Sequence, residues 1–454
     1  MEMILEFLRD VLSQPALLIG IMSCVGLIAL KRPFHKIMTG TLKPILGYLM
    51  LAAGAGVIVS NLDPLGKMIE HGFHITGVVP NNEAIVAVAQ KVLGVETMSI
   101  LVVGLLMNLL IARFTKFKYV FLTGHHSLFM ACLMSAVLGT AGLSGIELIL
   151  VGGFLMGAWS AISPAIGQSY TSKVTDGDEI ALGHFGSLGY YLSAWVAKYV
   201  GKAEESTEDI EIPEKWGFLR DSTLSTALTM IVFYLIAAVA AGSEFVATLS
   251  GSMSPYLFAV MSAMNFAVGV AIVYSGVRMI LGDLIPAFQG IATKIIPNAI
   301  PAVDCAVFFT YAPTAVVLGF ISSFIGGIIG MLILGAVGGV LIIPGLVPHF
   351  FCGATAGIYG NATGGRRGAA VGAFLNGLAI TFLPALALPV LGQLGFQNTT
   401  FGDADFAVMG LVLGNAFEWI GMAGIYGVVV IAALVLIIPN FIKTKGKVIN
   451  YVEE

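Results

Sequence analysis

Residues 119–142 read YVFLTGHHSLFMACLMSAVLGTAG. Past Leu122-Thr123-Gly124 and the pair His125-His126 the stretch is apolar, and it holds no Asp, Glu, Lys or Arg. A run of about 20 mostly apolar residues is what one helix needs to cross the hydrocarbon of a bilayer. Polar groups at the mouth of such a run are costly, which makes them functional candidates. Comparable runs lie near 15–30, 41–60, 95–113, 145–163, 222–243, 254–276, 279–298, 312–334, 335–358, 368–390 and 406–442. Barrel strands would alternate in short segments, so these long runs read as helices. The expected fold is an all-α polytopic membrane protein with about eleven transmembrane helices, the last run holding two segments.

Composition agrees. Hydrophobic residues make up 57% of the 454 and charged residues 11%, with mean hydropathy +0.95, too little polar surface to cover several soluble domains. The 56 glycines suit close helix packing and broken helices. Net charge is −4 and no basic block marks a nucleic-acid partner. Cys24, Cys132, Cys305 and Cys352 all sit in apolar stretches without Cys-x-x-Cys spacing, so they read as buried thiols. Residues Met1 to Ser13 lack the pattern of a cleaved signal peptide.

Basic residues follow the first run (Lys31, Arg32, Lys36), separate two later ones (Arg113, Lys116, Lys118) and crowd the end (Lys443, Lys445, Lys447). The positive-inside rule makes these cytoplasmic, with the N-terminus outside and the C-terminus inside. The polar stretch 168–221 falls on the same side. Within it Leu188, Tyr191, Leu192, Trp195, Val196 and Tyr199 recur at helical spacing, predicting a helix along the membrane or on the protein. The acidic run from Glu204 to Glu214 that follows is a solvated loop or, alternatively, a docking surface.

The chain reads as one membrane domain, 1–454, with a first repeat at 15–163, a cytoplasmic segment at 164–221, and a second repeat with the C-terminal spans at 222–442. Ile45-Leu46-Gly47 with Leu49 and Ala52 recurs as Ile280-Leu281-Gly282 with Leu284 and Ala287, and Leu122 with His125 recurs as Leu346 with His349. An odd number of spans between the halves would make them inverted repeats, with a site at mid-membrane between broken helices. Asn81-Asn82-Glu83 and Asp304-Cys305 occupy corresponding places, flanked by Pro80, Pro301 and Pro313. Proline frees backbone groups, and irregular backbone at membrane depth survives only inside protein or against a cavity. Both read as re-entrant tips.

His125 either snorkels at a helix start or bonds substrate; its companion His184, in Leu182-Gly183-His184, favours the second reading. His126 faces elsewhere on any helix. Asp304 pairs with Lys294 or binds hydroxyls, since an unpaired intramembrane carboxylate costs about 2.5–3.5 kcal/mol on insertion scales. Glu83 poses the same choice, and Asn82 is a ligand or a helix cap. Glu418 and Asn415 read as structural, and Arg366-Arg367 as a loop anchor without a phosphate-cradle pattern. No metal constellation or nucleophile elbow is legible, so a carrier without cofactor is expected. An ion-coupled secondary transporter using Asp304 or Glu83 is the alternative.

Leu122-Thr-Gly-His125, Val174-Thr-Asp-Gly177 with Leu182-Gly-His184, Glu204-Glu-Ser-Thr-Glu-Asp-Ile210 with Pro213, Ile300-Pro-Ala-Val-Asp-Cys-Ala306 with Ala312-Pro-Thr-Ala-Val-Val317, and Ile342-Ile-Pro-Gly345 together resemble the ascorbate-type enzyme IIC of the bacterial phosphoenolpyruvate-dependent phosphotransferase system. The resemblance covers essentially the whole chain in order. It implies a homodimeric inner-membrane carrier with scaffold and mobile core domains, moving a sugar or sugar acid by an elevator-like shift. It also implies a cytoplasmic phosphorylated enzyme IIB that phosphorylates the substrate, with no phosphoryl group carried on this chain. The family's substrate site maps onto Gly54, His125, His184 and Asp304. Phe129 and Phe185 stand where the family's ascorbate carriers have glutamine, and Asn82-Glu83 where they have a Thr-Tyr pair. Two amides are thereby exchanged for aromatic faces that offer stacking surface.

Overall fold

The computed structural model of the chain describes residues 15–73, 77–80, 82–177, 180–209, 222–269, 271–272, 275–276, 279, 296, 298–309, 311–392 and 399–441. Helices α1 (Pro15–Ala29), α2 (Phe34–Phe73), α3 (Asn82–Phe114), α4 (Gly124–Thr140), α5 (Gly145–Thr175) and α6 (Ser187–Val200) precede α7 (Ser222–Ala241), α8 (Ser243–Ser250) and α9 (Pro255–Gly269). Then come α10 (Pro313–Ala336), α11 (Leu346–Gly392), α12 (Ala404–Ile420) and α13 (Met422–Ile437). Among the described residues, six helices are long and apolar enough to cross a membrane, or seven if the pair α7 and α8, bent by 117°, counts as one span. The expected run at 279–298 lies almost wholly outside the described residues.

The opening stretch forms α4, and it does not face lipid. Every residue from His126 to Leu138 is buried, because α3, α5 and α12 pack around it. An apolar helix without a polar stripe has this outcome in any large core.

Helix α11 is interrupted between the two apolar runs read at 335–358 and 368–390. Gly364 and Gly365 leave helical geometry, Gly365 with φ 59°, a left-handed conformation open to glycine. The backbones of Gly360 and Gly368 come into contact, although eight residues of straight helix would hold them about 12 Å apart. The helix therefore folds back into two limbs. Helix α6 fits against them: Gly189, Ser193, Ala197 and Gly201 meet Asn376, Gly372, Gly368 and Gly364 in turn, an antiparallel stripe stepping by four residues on each side. Small residues at that spacing let backbones close up without a hydrophobic driving force. Thus α6 is set on the protein, with Leu192, Trp195 and Tyr199 on its exposed side.

The acidic segment is also partly committed. In the 3₁₀ turn Thr207–Asp209, the Glu208 carboxylate accepts from the backbone N–H groups of Thr314 and Ala315 at 3.0 Å each. A carboxylate at a helix N-terminus satisfies free donors and the helix dipole together, so Glu208 is a cap of α10. Residues 210–214 lie outside the described residues.

Among the described residues are six short strands, absent from the sequence reading: β1 (Gly77–Pro80), β2 (Tyr119–Phe121), β3 (Ala181–Leu182), β4 (Ile300–Val303), β5 (Leu341–Ile342) and β6 (Thr399–Thr400). They form two three-stranded parallel sheets, ordered β5-β1-β6 and β2-β4-β3. The first three strands come from the N-terminal part of the chain and the last three from the C-terminal part. In each sheet the central strand belongs to one part and both flanks to the other. The exchange pairs these short backbone segments with one another inside the protein.

Candidate functional site

Because strands within a sheet are parallel, their C-terminal ends lie at one edge. In the sheet β2-β4-β3 that edge delivers His125 after β2, Asp304 after β4 and His184 after β3. Leu122 N–H reaches Ala302 C=O at 2.9 Å and Gly183 N–H reaches Val303 C=O at 2.7 Å, extending both ladders to the site. A side chain at Gly183 would meet the backbone of Ala302, so this approach requires glycine. His125 Nε2 lies 3.3 Å from Asp304 Oδ2.

The other sheet delivers Asn82 after β1 and Asp403 after β6. Asn82 donates to Asp403 Oδ2 at 2.5 Å and accepts from Gly402 N–H at 2.8 Å, acting as neither a free ligand nor a simple cap. Cys352 Sγ donates to Asp403 Oδ1 at 2.9 Å, and the same oxygen is 3.7 Å from His184 Nδ1. The two sheet edges therefore meet at His184 and Asp403.

Backbone donors set the histidine tautomers. Gly186 N–H points at His184 Nδ1 at 3.1 Å, and Phe185 N–H at His126 Nδ1 at 3.3 Å. An N–H only donates, so each Nδ1 accepts and each neutral ring carries its proton on Nε2. The Tyr190 hydroxyl, 2.9 Å from His184 Nδ1, reinforces that ring's position. His126 faces the cluster after all: its ring centroid is 3.7 Å from that of His184 and it stacks on Phe406. At a helix start a neighbouring loop covers directions that the helix itself leaves open.

Among the described residues, His126, His184 and Asp403 bring ligand atoms within 4.8 Å, as do His184, Asp304 and Cys305. A metal-ligating imidazole offers one lone pair while its other nitrogen donates. Here the Nδ1 lone pairs of His126 and His184 already accept backbone N–H groups. The cluster has the chemistry of a hydrogen-bonding site for an acceptor-rich solute.

Phe129 and Phe185 form its apolar wall. Phe185 is fully buried, stacked on Phe121 at 4.5 Å; Phe129 lies edge-on to His125 at 5.7 Å. Gly54 is buried within α2, which packs on α1 and α7 and has no described contact with the histidines. Glu83 occupies the first turn of α3, and its side chain, like the whole of Lys294, lies outside the described residues. His349, expected to correspond to His125, is tied to Ser323 Oγ at 2.9 Å beside Phe324. Asp403, Asp405 and Tyr190 went unread in the sequence, and Cys352, read as a buried thiol and found buried, was not read as part of the cluster. The only signal was Asp403-Ala404-Asp405 at the mouth of an apolar run.

The sequence model of the sugar-specific permease component of the phosphotransferase system, EIIC-GAT, matches residues 10–405. Similarity also extends to the ascorbate-specific phosphotransferase EIIC component of Mycoplasma pneumoniae, at 26% identity over 417 residues covering 78% of this chain. The alignment spans 62% of that relative's own length.

Proposed function

The chain belongs to the sugar-specific permease components of the phosphotransferase system, and from that premise we propose that it carries a sugar or sugar acid, ascorbate-like in form, across the bacterial inner membrane. The observation that carries this reading is the convergence of His125, His184 and Asp304 at one sheet edge. Histidine Nε2–H groups can donate to hydroxyl and ring oxygens, the Asp304 carboxylate accepts from hydroxyl O–H groups, and Phe129 offers a face for the carbon skeleton. Gly54, Asn82, Glu83 and Phe185 complete the proposed site, Asn82 through Asp403 and Phe185 through packing.

In this reading a cytoplasmic phosphorylated enzyme IIB transfers its phosphoryl group to the arriving substrate, and the protein works as a homodimer of about eleven spans per chain. Inverted repeats, with tips at β1 and β4, are supported by the strand exchange. Movement of a core domain against a scaffold gives access alternately from each side. The basic loop 113–118 and the end of α13 share a face, since Lys116 N–H bonds Asn440 Oδ1 at 2.8 Å; that face is the proposed cytoplasmic side.

The test is uptake of radiolabelled ascorbate, sugar acids and polyols by vesicles containing the protein and a phosphorylated enzyme IIB. Phosphorylated product inside is expected. Free solute accumulating with an ion gradient would favour the ion-coupled alternative. No uptake of any compound would overturn the carrier reading.

A further inference from the structure

His184 opens a turn in which Phe185, Ser187 and Leu188 are all held by one distant residue. Asp405, in the first turn of α12, is completely buried. Its Oδ1 accepts from Leu188 N–H at 2.9 Å and its Oδ2 from Ser187 Oγ–H at 2.7 Å. Trp159 Nε1–H reaches Oδ2 from α5 at 3.1 Å. The Asp405 backbone N–H in turn donates to Phe185 C=O at 2.9 Å. Residues 185, 187 and 188 are thus bound to Asp405, and residue 186 between them supplies the N–H that orients the His184 ring.

A buried carboxylate is retained at a cost unless its lone pairs are filled. Here they are filled by the first turn of α6 and by α5, at the N-terminus of α6 where negative charge is also favoured. The carboxylate makes none of these bonds to the histidine itself. Its effect is on where the turn stands, and so on which way the Nε2–H of His184 points.

We propose that Asp405 is a positioning residue of the candidate site, fixing the His184 turn from α12 so that the imidazole keeps Nδ1 toward Gly186 and Nε2–H toward the solute. The importance of that orientation for transport rests on the carrier reading above. The orientation itself does not, and it is measurable without any solute.

The experiment uses the full chain in lipid nanodiscs, labelled with ¹⁵N-histidine, with the His184 signals identified by their loss in His184→Gln. The unsubstituted protein is expected to show His184 as the Nε2–H tautomer. Asp405→Asn is expected to shift it toward a mixture, and to speed hydrogen exchange across 185–188 about tenfold or more. Should Asp405→Asn not fold, Ser187→Ala and Trp159→Phe decide: the first removes a bond to the turn and the second a bond to α5. Ser187→Ala should perturb the His184 signals and the exchange, while Trp159→Phe should leave both unchanged. An unaltered His184 signal in Asp405→Asn, or equal effects of Ser187→Ala and Trp159→Phe, would overturn the proposal and leave Asp405 as a stabilising residue. Failure to transport any solute would touch the carrier reading and not this one.

Discussion

Nδ1 of His184 lies 3.7 Å from Oδ1 of Asp403, yet the first follows β3 and the second β6, strands of different sheets. The contact joins the two exchanged sheets at one point. A site divided in this way responds to changes in either part of the chain.

Coupling across the exchange is testable at His125 and Asp304. Removing either group leaves the other polar atom buried, and losing a hydrogen bond to a charged group costs about 1.5–3 kcal/mol, or roughly ten- to hundredfold in affinity. His125→Gln and Asp304→Asn should each weaken solute binding on that scale. The double variant should be little worse than the poorer single one, since groups in contact are non-additive. Calorimetric titration checks this; strict additivity would separate the two residues.

The two phenylalanines should behave differently. Phe185→Gln buries an amide in place of a stacked ring; cavity formation alone costs about 3–5 kcal/mol for Phe→Ala, and an unmet amide adds to it. A large fall in thermal unfolding temperature is expected, with no gain in ascorbate binding. Phe129→Gln, beside His125, should cost less stability and improve ascorbate recognition. Equal stability losses, measured by fluorescence-detected unfolding, would contradict the assignment.

Within the acidic segment, capping and steering should separate. Glu208→Ala removes the cap of α10 and should destabilise the protein by about 1 kcal/mol. Glu204→Ala and Asp209→Ala, at exposed positions, should leave stability unchanged while slowing phosphoryl transfer from enzyme IIB modestly at low salt. Each exposed charge is worth about 1 kcal/mol or less. Rates independent of ionic strength would leave these two residues as plain solvated charges.

The small-residue stripe gives a packing test. A side chain at Gly368 meets the backbone of Gly360 and the Ala197 side chain, whereas one at Gly427 on α13 meets nothing within 4 Å. Gly368→Val should abolish folded protein in size-exclusion chromatography, because overpacking against backbone cannot relax through a rotamer. Gly427→Ala should be tolerated. A monodisperse, thermally unchanged Gly368→Val protein would refute the close approach of the two limbs of α11.

Sequence by itself determined the class of the protein and pointed to part of the candidate site. Hydrocarbon has no water to satisfy polar groups, so apolar runs declare themselves residue by residue, and His125 and Asp304 stand out as costly exceptions, with His184 of the polar stretch legible as the companion of His125. The helical spacing of Leu188, Tyr191, Leu192, Trp195, Val196 and Tyr199 was legible, whereas the packed face Gly189, Ser193, Ala197 and Gly201 came only from the structure. Tertiary structure alone decided how strands from distant segments pair, how closely the two limbs of α11 approach at Gly360 and Gly368, and that His126 turns toward His184. It also decided that Asp403 and Asp405, outwardly loop carboxylates, are buried where the sheets meet. Their roles depend on partners more than 200 residues away, and no local pattern encodes which buried donors a carboxylate will find once the chain has closed around it.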